Sequence, residues 1–262
     1  MRAVDFVGID IGSTYAKVAV LDEAGRPALM EVLPSGWNSV ETAGRIWELL
    51  KASAVDTEQM YCTATGYGRG SVAFADRAVT EITCHGKGAA WLFGKGSFRI
   101  IDIGGQDTKV IAMENGTVKD FLMNDKCAAG TGRFLEVMAG SLGVSTEQLY
   151  QLAARGTPTP INSMCAVFAE SEVIGLMGKG AAKEDIACGI VDSIAEKVKS
   201  QCGRMTAGSG GYCMTGGLSD QPFFVERLSE KLKQPVMASR DGRYAGALGA
   251  ALIGYEKYQK EI

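Results

Sequence analysis

The chain has 262 residues, 46% of them hydrophobic and 22% charged, with a formal net charge of −3. These values describe a globular protein of one large domain or two modest ones and exclude a disordered or fibrous chain. The weakly acidic balance gives no basic footprint for nucleic acid, and no stretch approaches the roughly 18 apolar residues of a membrane span. The Met1–Phe6 start lacks a secretory apolar region, so the expectation is a cytoplasmic protein without nucleic-acid or membrane partners.

In chain order, an apolar run over Phe6–Ile9 reads as a strand and leads into Asp10-Ile11-Gly12. A second β-prone run follows at Lys17–Leu21, then a hairpin signal, Asp22-Glu23-Ala24-Gly25, and a third run. Val40–Lys51 after Ser39 reads as a helix. The strand pattern then restarts with Arg99–Ile101, Thr108–Met113 and the Asn115-Gly116 turn. Further helices are expected over Thr146–Ala154, capped by Ser145 with Gln148 three residues on, over Lys183–Arg204, and over Phe223–Lys233 after Pro222. Tyr244–Ala251 reads as a small-residue helix start that either approaches a ligand or packs tightly on a sheet.

The restart is a repeat. Asp10-Ile11-Gly12-Ser13-Thr14-Tyr15-Ala16-Lys17-Val18 matches Asp102-Ile103-Gly104-Gly105-Gln106-Asp107-Thr108-Lys109-Val110 at the Asp, Ile, Gly, Lys and Val positions, at a constant offset of 92 residues. An offset that long points to two similar domains, 1–96 and 97–262, with a hinge near Ser97 and the C-terminal helix packing back on the first.

Each turn offers a carboxylate, a glycine that lets backbone approach a ligand, and nearby donors. Gly12, Ser13, Thr14, Tyr15, Ala16 and Lys17 therefore read as a phosphate cradle, and Gly104, Gly105 and Gln106 as its second copy. Met214-Thr215-Gly216-Gly217-Leu218 reads as a close-approach loop against an adenosine, with Gly216 and Gly217 at the contact. Asp10 and Asp102 are expected to face each other across a cleft, where two carboxylates and nucleotide phosphates suit Mg²⁺. Gln106 could contact phosphate or water, or serve the turn alone. Neither the P-loop pattern nor the dinucleotide fingerprint occurs in its strand-to-helix context. Taken together the pattern resembles the actin, hexokinase and sugar-kinase superfamily of ATPases. That resemblance implies an α/β chain of two ribonuclease H-like domains binding ATP or ADP.

Seven cysteines are many, and an odd number argues against a complete disulfide framework. Cys127, in Asn124–Glu136, and Cys165, in Asn162–Glu172, each precede an expected helix start. A helix N-terminus favours a thiolate or an anionic cluster held by thiolates. Neither belongs to a C-x-x-C pair, so a one-chain zinc site is disfavoured. On the residues alone two readings stay open: buried structural cysteines, or a four-thiolate iron–sulfur cluster shared across a two-fold axis. Cys62, Cys84, Cys188, Cys202 and Cys213 read as core. Glu170 could orient the attacking water of ATP hydrolysis or be a solvated helix carboxylate. His85, the only histidine, reads as a packed structural residue, and Arg69 as a partner-facing or merely exposed turn residue.

Asn124–Glu136, Cys165–Val173, Ala64-Thr65-Gly66-Tyr67-Gly68-Arg69 and Cys84-His85 resemble the activators of 2-hydroxyacyl-CoA dehydratases in the BadF/BadG/BcrA/BcrD ATPase family. The resemblance spans essentially the whole chain. It implies a homodimer sharing one [4Fe-4S] cluster, with Cys127 and Cys165 as ligands. It also implies that ATP drives an electron from reduced ferredoxin or flavodoxin to a dehydratase partner. The alternatives are a small-molecule kinase of the amino-sugar type, which needs neither cysteine, and an actin-like scaffold without redox chemistry.

Overall fold

The structure, a computed structural model, describes residues 4–163 and 165–261. The Met1–Ala3 start and Met164 of the second cysteine segment lie outside the described residues. The chain forms two compact units. One comprises residues 1–97, 113–119 and 240–262, the other residues 98–112 and 120–239.

In the first unit, β1 (Phe6–Ile11), β2 (Tyr15–Leu21) and β3 (Pro27–Pro34) precede helix α1 (Ser39–Ala52), β4 (Tyr61–Thr65), β5 (Arg77–Ala78) and α2 (Glu81–Phe93). The sheet order is β3-β2-β1-β4-β5. β1 is antiparallel to β2 and parallel to β4. All six β1 residues are buried, as expected of a central strand covered on both faces. Asn38, not Ser39, caps α1: its side chain accepts from the Glu41 N–H at 2.8 Å, and Ser39 is the first helical residue.

The second sheet contains β6 (Phe98–Ile103), β7 (Thr108–Glu114) and β8 (Thr117–Asn124). Four helices follow: α3 (Gly132–Ser141), α4 (Thr146–Ala153), α5 (Ala166–Gly178) and α6 (Lys183–Arg204). The chain ends with β9 (Tyr212–Gly216), α7 (Pro222–Leu232), β10 (Val236–Ala238) and α8 (Ala245–Glu261). The sheet order is β10-β9-β6-β7-β8, which is the first sheet's order read strand for strand from the other end. The Ser145 capping box forms in full at the start of α4. Leu135, Leu149, Ile190, Val191 and Phe224 centre the apolar core of this unit.

Helix α8 belongs to the first unit, and its small residues have a packing reason. A Cβ on Gly249 would overlap the Cys84 carbonyl of α2, and one on Gly8 of β1 would overlap the Ala247 carbonyl. Side chains at these positions would hold the two helices and the sheet apart. The start of α8 also borders a carboxylate, because a Cβ on Gly246 would stand 3.0 Å from the Asp10 carboxyl carbon.

Candidate phosphate turns and the cysteine loops

Asp10 is buried near the end of β1, in register with Lys17 on β2 and Thr65 on β4. The turn beyond it closes when the Gly12 N–H donates to the Tyr15 carbonyl at 3.2 Å. Ser35 fastens it from β3's end, its Oγ donating to the Gly12 carbonyl at 2.7 Å. Ser13 and Tyr15 are exposed and Thr14 is half-buried, so their polar atoms border solvent. Lys17 Nζ lies 3.7 Å from where a Gly12 Cβ would be, so the ammonium bends over the turn. Ala16 points into the apolar core and offers a ligand only its backbone.

The second turn repeats this geometry. Gly104 N–H donates to the Asp107 carbonyl at 2.9 Å, 92 residues after the first such bond. Asp102 is buried and accepts from Thr215 Oγ1 at 2.9 Å. Gly105 is half-buried and Gln106 exposed. The lysines differ. Lys109 is buried, 2.7 Å from Asp107 and 3.4 Å from Asp102. The residue matching Asp107 in the first turn is Tyr15, so Lys17 has no carboxylate at that position.

A second pair of equivalent positions, not recognised from the sequence, backs the two carboxylates. Gly66 after β4 and Gly216 ending β9 both have φ of +82°. A Cβ at Gly216 would stand 2.8 Å from Asp102 Oδ1, and one at Gly66 would overlap Asp10 Oδ1. Thr65-Gly66 and Thr215-Gly216 are thus the same strand-end device, and Gly216 belongs to a strand rather than to the expected loop; Gly217 is exposed in the turn after it. His85, which the sequence reading left outside the site, is buried with Nε2 4.0 Å from Asp10 Oδ2 and 3.8 Å from Glu81 Oε1. The Glu81-to-His85 spacing on one helical face was the available signal.

Cys127 and Cys165 are exposed, while the other five cysteines are buried. Burial pushes the Cys62, Cys84 and Cys202 thiols up to about 12 and raises those of Cys188 and Cys213. Those five are held as neutral thiols, so the exposed pair is the one suited to ligation.

Cys165 is the N-cap of α5, its carbonyl accepting from Ala169 N–H at 2.9 Å. Cys127 stands four residues ahead of the Thr131 cap of α3, so a helix terminus does not act on it directly. The N–H groups that open α3 are occupied instead by the second turn: Gly132 donates to Gly104 at 2.9 Å and Arg133 to Gly105 at 2.8 Å. Thr108 Oγ1 donates to the Gly130 carbonyl at 2.6 Å, and Gln201 of α6 donates to the Thr108 carbonyl at 2.9 Å. The Asn124 side chain donates to the Cys127 carbonyl at 3.0 Å. The loop bearing Cys127 is therefore fastened at one end to the Gly104–Gly105 turn.

Glu170 sits elsewhere. Ser141 Oγ donates to it at 2.9 Å, and Ser141 is the last residue of α3. The Gly104 turn meets the first residue of that helix, about 14 Å away along its axis. Glu170 ties α5 to α3. Glu172, two residues on, gathers donors from Asn162 and Ser163, and foremost the Ser163 hydroxyl holds its carboxyl below the usual range.

Two ribonuclease H-like sheets of identical strand order, each with a carboxylate and glycine turn, define the actin/hexokinase-like ATPase fold. The BadF/BadG/BcrA/BcrD ATPase family model matches residues 7–254, and the chain belongs to that family. It is an ATPase. The (R)-2-hydroxyglutaryl-CoA dehydratase activating ATPase of Acidaminococcus fermentans is 42% identical over 97% of this chain and 98% of its own. The crystal structure of component A of that organism's (R)-2-hydroxyglutaryl-CoA dehydratase superposes with a TM-score of 0.91 at 41% identity, covering 98% of this chain and 99% of the other. An activator of the 2-hydroxyisocaproyl-CoA dehydratase from Clostridium difficile, solved with bound ADPNP, gives 0.90 at 35% identity, with 98% of each chain covered. These relatives are dehydratase activators, and the kinase alternative is set aside.

Proposed function

We propose that the protein is the ATP-dependent activator of a 2-hydroxyacyl-CoA dehydratase. It accepts an electron from reduced ferredoxin or flavodoxin and delivers it to that enzyme when ATP binds and is hydrolysed. The observation that carries this reading is the pair of exposed cysteines among seven, one of them on a loop fastened to a phosphate turn.

The donor set fits a [4Fe-4S] cluster only as a shared one: two thiolates per chain and four per homodimer. When bound, the cluster supplies one-electron transfer at low potential. Cys127 and Cys165 hold it in this reading. The outer face of α5 supports the homodimer, because Val167, Phe168, Ile174 and Met177 are exposed on the helix that Cys165 begins. A helix apolar on both sides calls for a covering surface, and a second copy provides one.

On the nucleotide side, Gly12, Ser13, Thr14 and Lys17 meet the ATP phosphates through backbone N–H, hydroxyl and ammonium donors. Asp10 and Asp102 hold Mg²⁺, directly or through water. Gln106, exposed on the second turn, positions the attacking water, and Glu170, anchored by Ser141, does not. Gly104 and Gly105 respond to the γ-phosphate and pull on the start of α3, which carries the change to the Cys127 loop. Action in the cytoplasm is part of this reading, and no helix among the described residues is long and apolar enough to cross a membrane.

The test is iron and acid-labile sulfide on protein purified without oxygen. The reading expects about four irons per dimer, lost in both Cys127→Ala and Cys165→Ala while ADP binding persists. Iron-free protein that resists reconstitution yet hydrolyses ATP would overturn it.

A further inference from the structure

We propose that Glu172 is the positioning residue for Cys165, a role that rests on reading Cys165 as a cluster ligand. Glu172 lies seven residues after Cys165, which at 100° per residue returns it to the same face of α5. Helical side chains tilt toward the N-terminus, so a glutamate on this face can be met by chain that folds back along the helix from its start.

It is met so here. Asn162 N–H stands 3.1 Å from each carboxylate oxygen, Ser163 N–H donates to Oε2 at 2.9 Å, and Ser163 Oγ donates to Oε2 at 2.6 Å. The Asn162 side-chain amide adds a contact at 3.4 Å to Oε1. Among the described residues every group that hydrogen-bonds Glu172 is a donor, and only a carboxylate presents acceptors alone on both oxygens.

The contacts do not cap α5. Among the described residues no side chain accepts from its first N–H groups, and Glu172 bonds the segment ahead of them. Ser163 is two residues from Cys165, at most about 7 Å of chain. The Cys165 backbone is thus held on its helical side by the bond from Ala169, and the Asn162–Ser163 segment is anchored two residues ahead of it. Cys127 receives its restraint from Asn124 instead, so the two ligands are positioned independently.

Glu172→Gln tests this, because it keeps one acceptor and turns an NH₂ group toward N–H donors. Ser163→Ala removes the shortest of the contacts and leaves the backbone ones. In apoprotein, maleimide labelling followed by peptide mass analysis should show Cys165 reacting several-fold faster in Glu172→Gln, with Cys127 unchanged. In the iron-loaded dimer, loss of iron to a chelator should accelerate at least about tenfold, the scale on which outer partners of metal ligands act. Ser163→Ala should fall between, with Tm and ADP binding at wild-type values in both.

Unchanged Cys165 labelling together with unchanged iron loss would overturn the proposal. So would equal acceleration at Cys127 and Cys165 with a lowered Tm, which marks a general loosening. Should Glu172→Gln fail to fold, Ser163→Ala decides by the same readouts. A wild-type chain that never holds iron would sink the cluster reading itself, and the apoprotein labelling would still decide whether Glu172 governs Cys165.

Discussion

Between the third and fourth strands of its sheet the first unit inserts one helix, α1, and the second inserts four, α3 to α6. The strand orders, the closing bond of each turn and the positive-φ glycine behind each carboxylate are otherwise the same. Both exposed cysteines lie in the longer insertion. The shared elements suit phosphate binding, and what the second unit adds begins on the carbonyls of its own turn, at Gly104 and Gly105. The duplicated sheet thus differs between the units by growth at one connection, where the first residues of α3 bond the second turn.

The comparison breaks first at the carboxylates. Asp10→Asn should slow ATP hydrolysis by about a hundredfold or more, the scale of losing one electrostatic contact to the reacting phosphate, with Tm preserved; phosphate release measures it. Activity within a few fold of wild type would remove Asp10 from the chemistry.

The lysines separate next, because identical positions in the repeat carry different surroundings. Lys109→Ala removes the buried ammonium beside Asp102 and Asp107 and should cost about 3–5 kcal/mol in urea unfolding. Lys17→Ala should leave stability within about 1 kcal/mol while weakening ATP binding about tenfold, as loss of a charged hydrogen bond does. Equal effects at the two lysines would erase the distinction.

The glycines should instead behave alike. Gly66→Ala and Gly216→Ala each place a Cβ at φ +82° against a carboxylate, and each should destabilise by about 1–3 kcal/mol in thermal unfolding. Ser145→Ala, in a helix with no counterpart in the first unit, should cost about 1 kcal/mol and leave ATP hydrolysis unchanged.

The repeated hairpin was legible because its Asp, Ile, Gly, Lys and Val recur at one offset, and the α4 cap because Ser145 and Gln148 form a local pattern. The Thr-Gly device was not. Thr65-Gly66 and Thr215-Gly216 stand 150 residues apart, since the four-helix insertion lengthens the second copy, and two residues are too short to align at a new offset. Helix α2 was hidden for another reason: Gly86 and Gly88 lower its intrinsic propensity, and it forms where close packing against α8 demands small residues. The sequence places Glu170 and Glu172 on one helix and singles out Glu170 as the candidate to orient a water. Only the fold shows one bonded to Ser141 and the other gathering Asn162 and Ser163.

The most direct test of the proposed link between the second turn and the Cys127 loop is the reduction potential of the iron-loaded dimer with ADP and then with a non-hydrolysable ATP analogue. Exposure and hydrogen bonding to sulfur set such potentials. A shift on exchanging the nucleotides, abolished in Thr108→Val where the bond to Gly130 is removed, is the result this account predicts. A potential that stays the same with either nucleotide would contradict it.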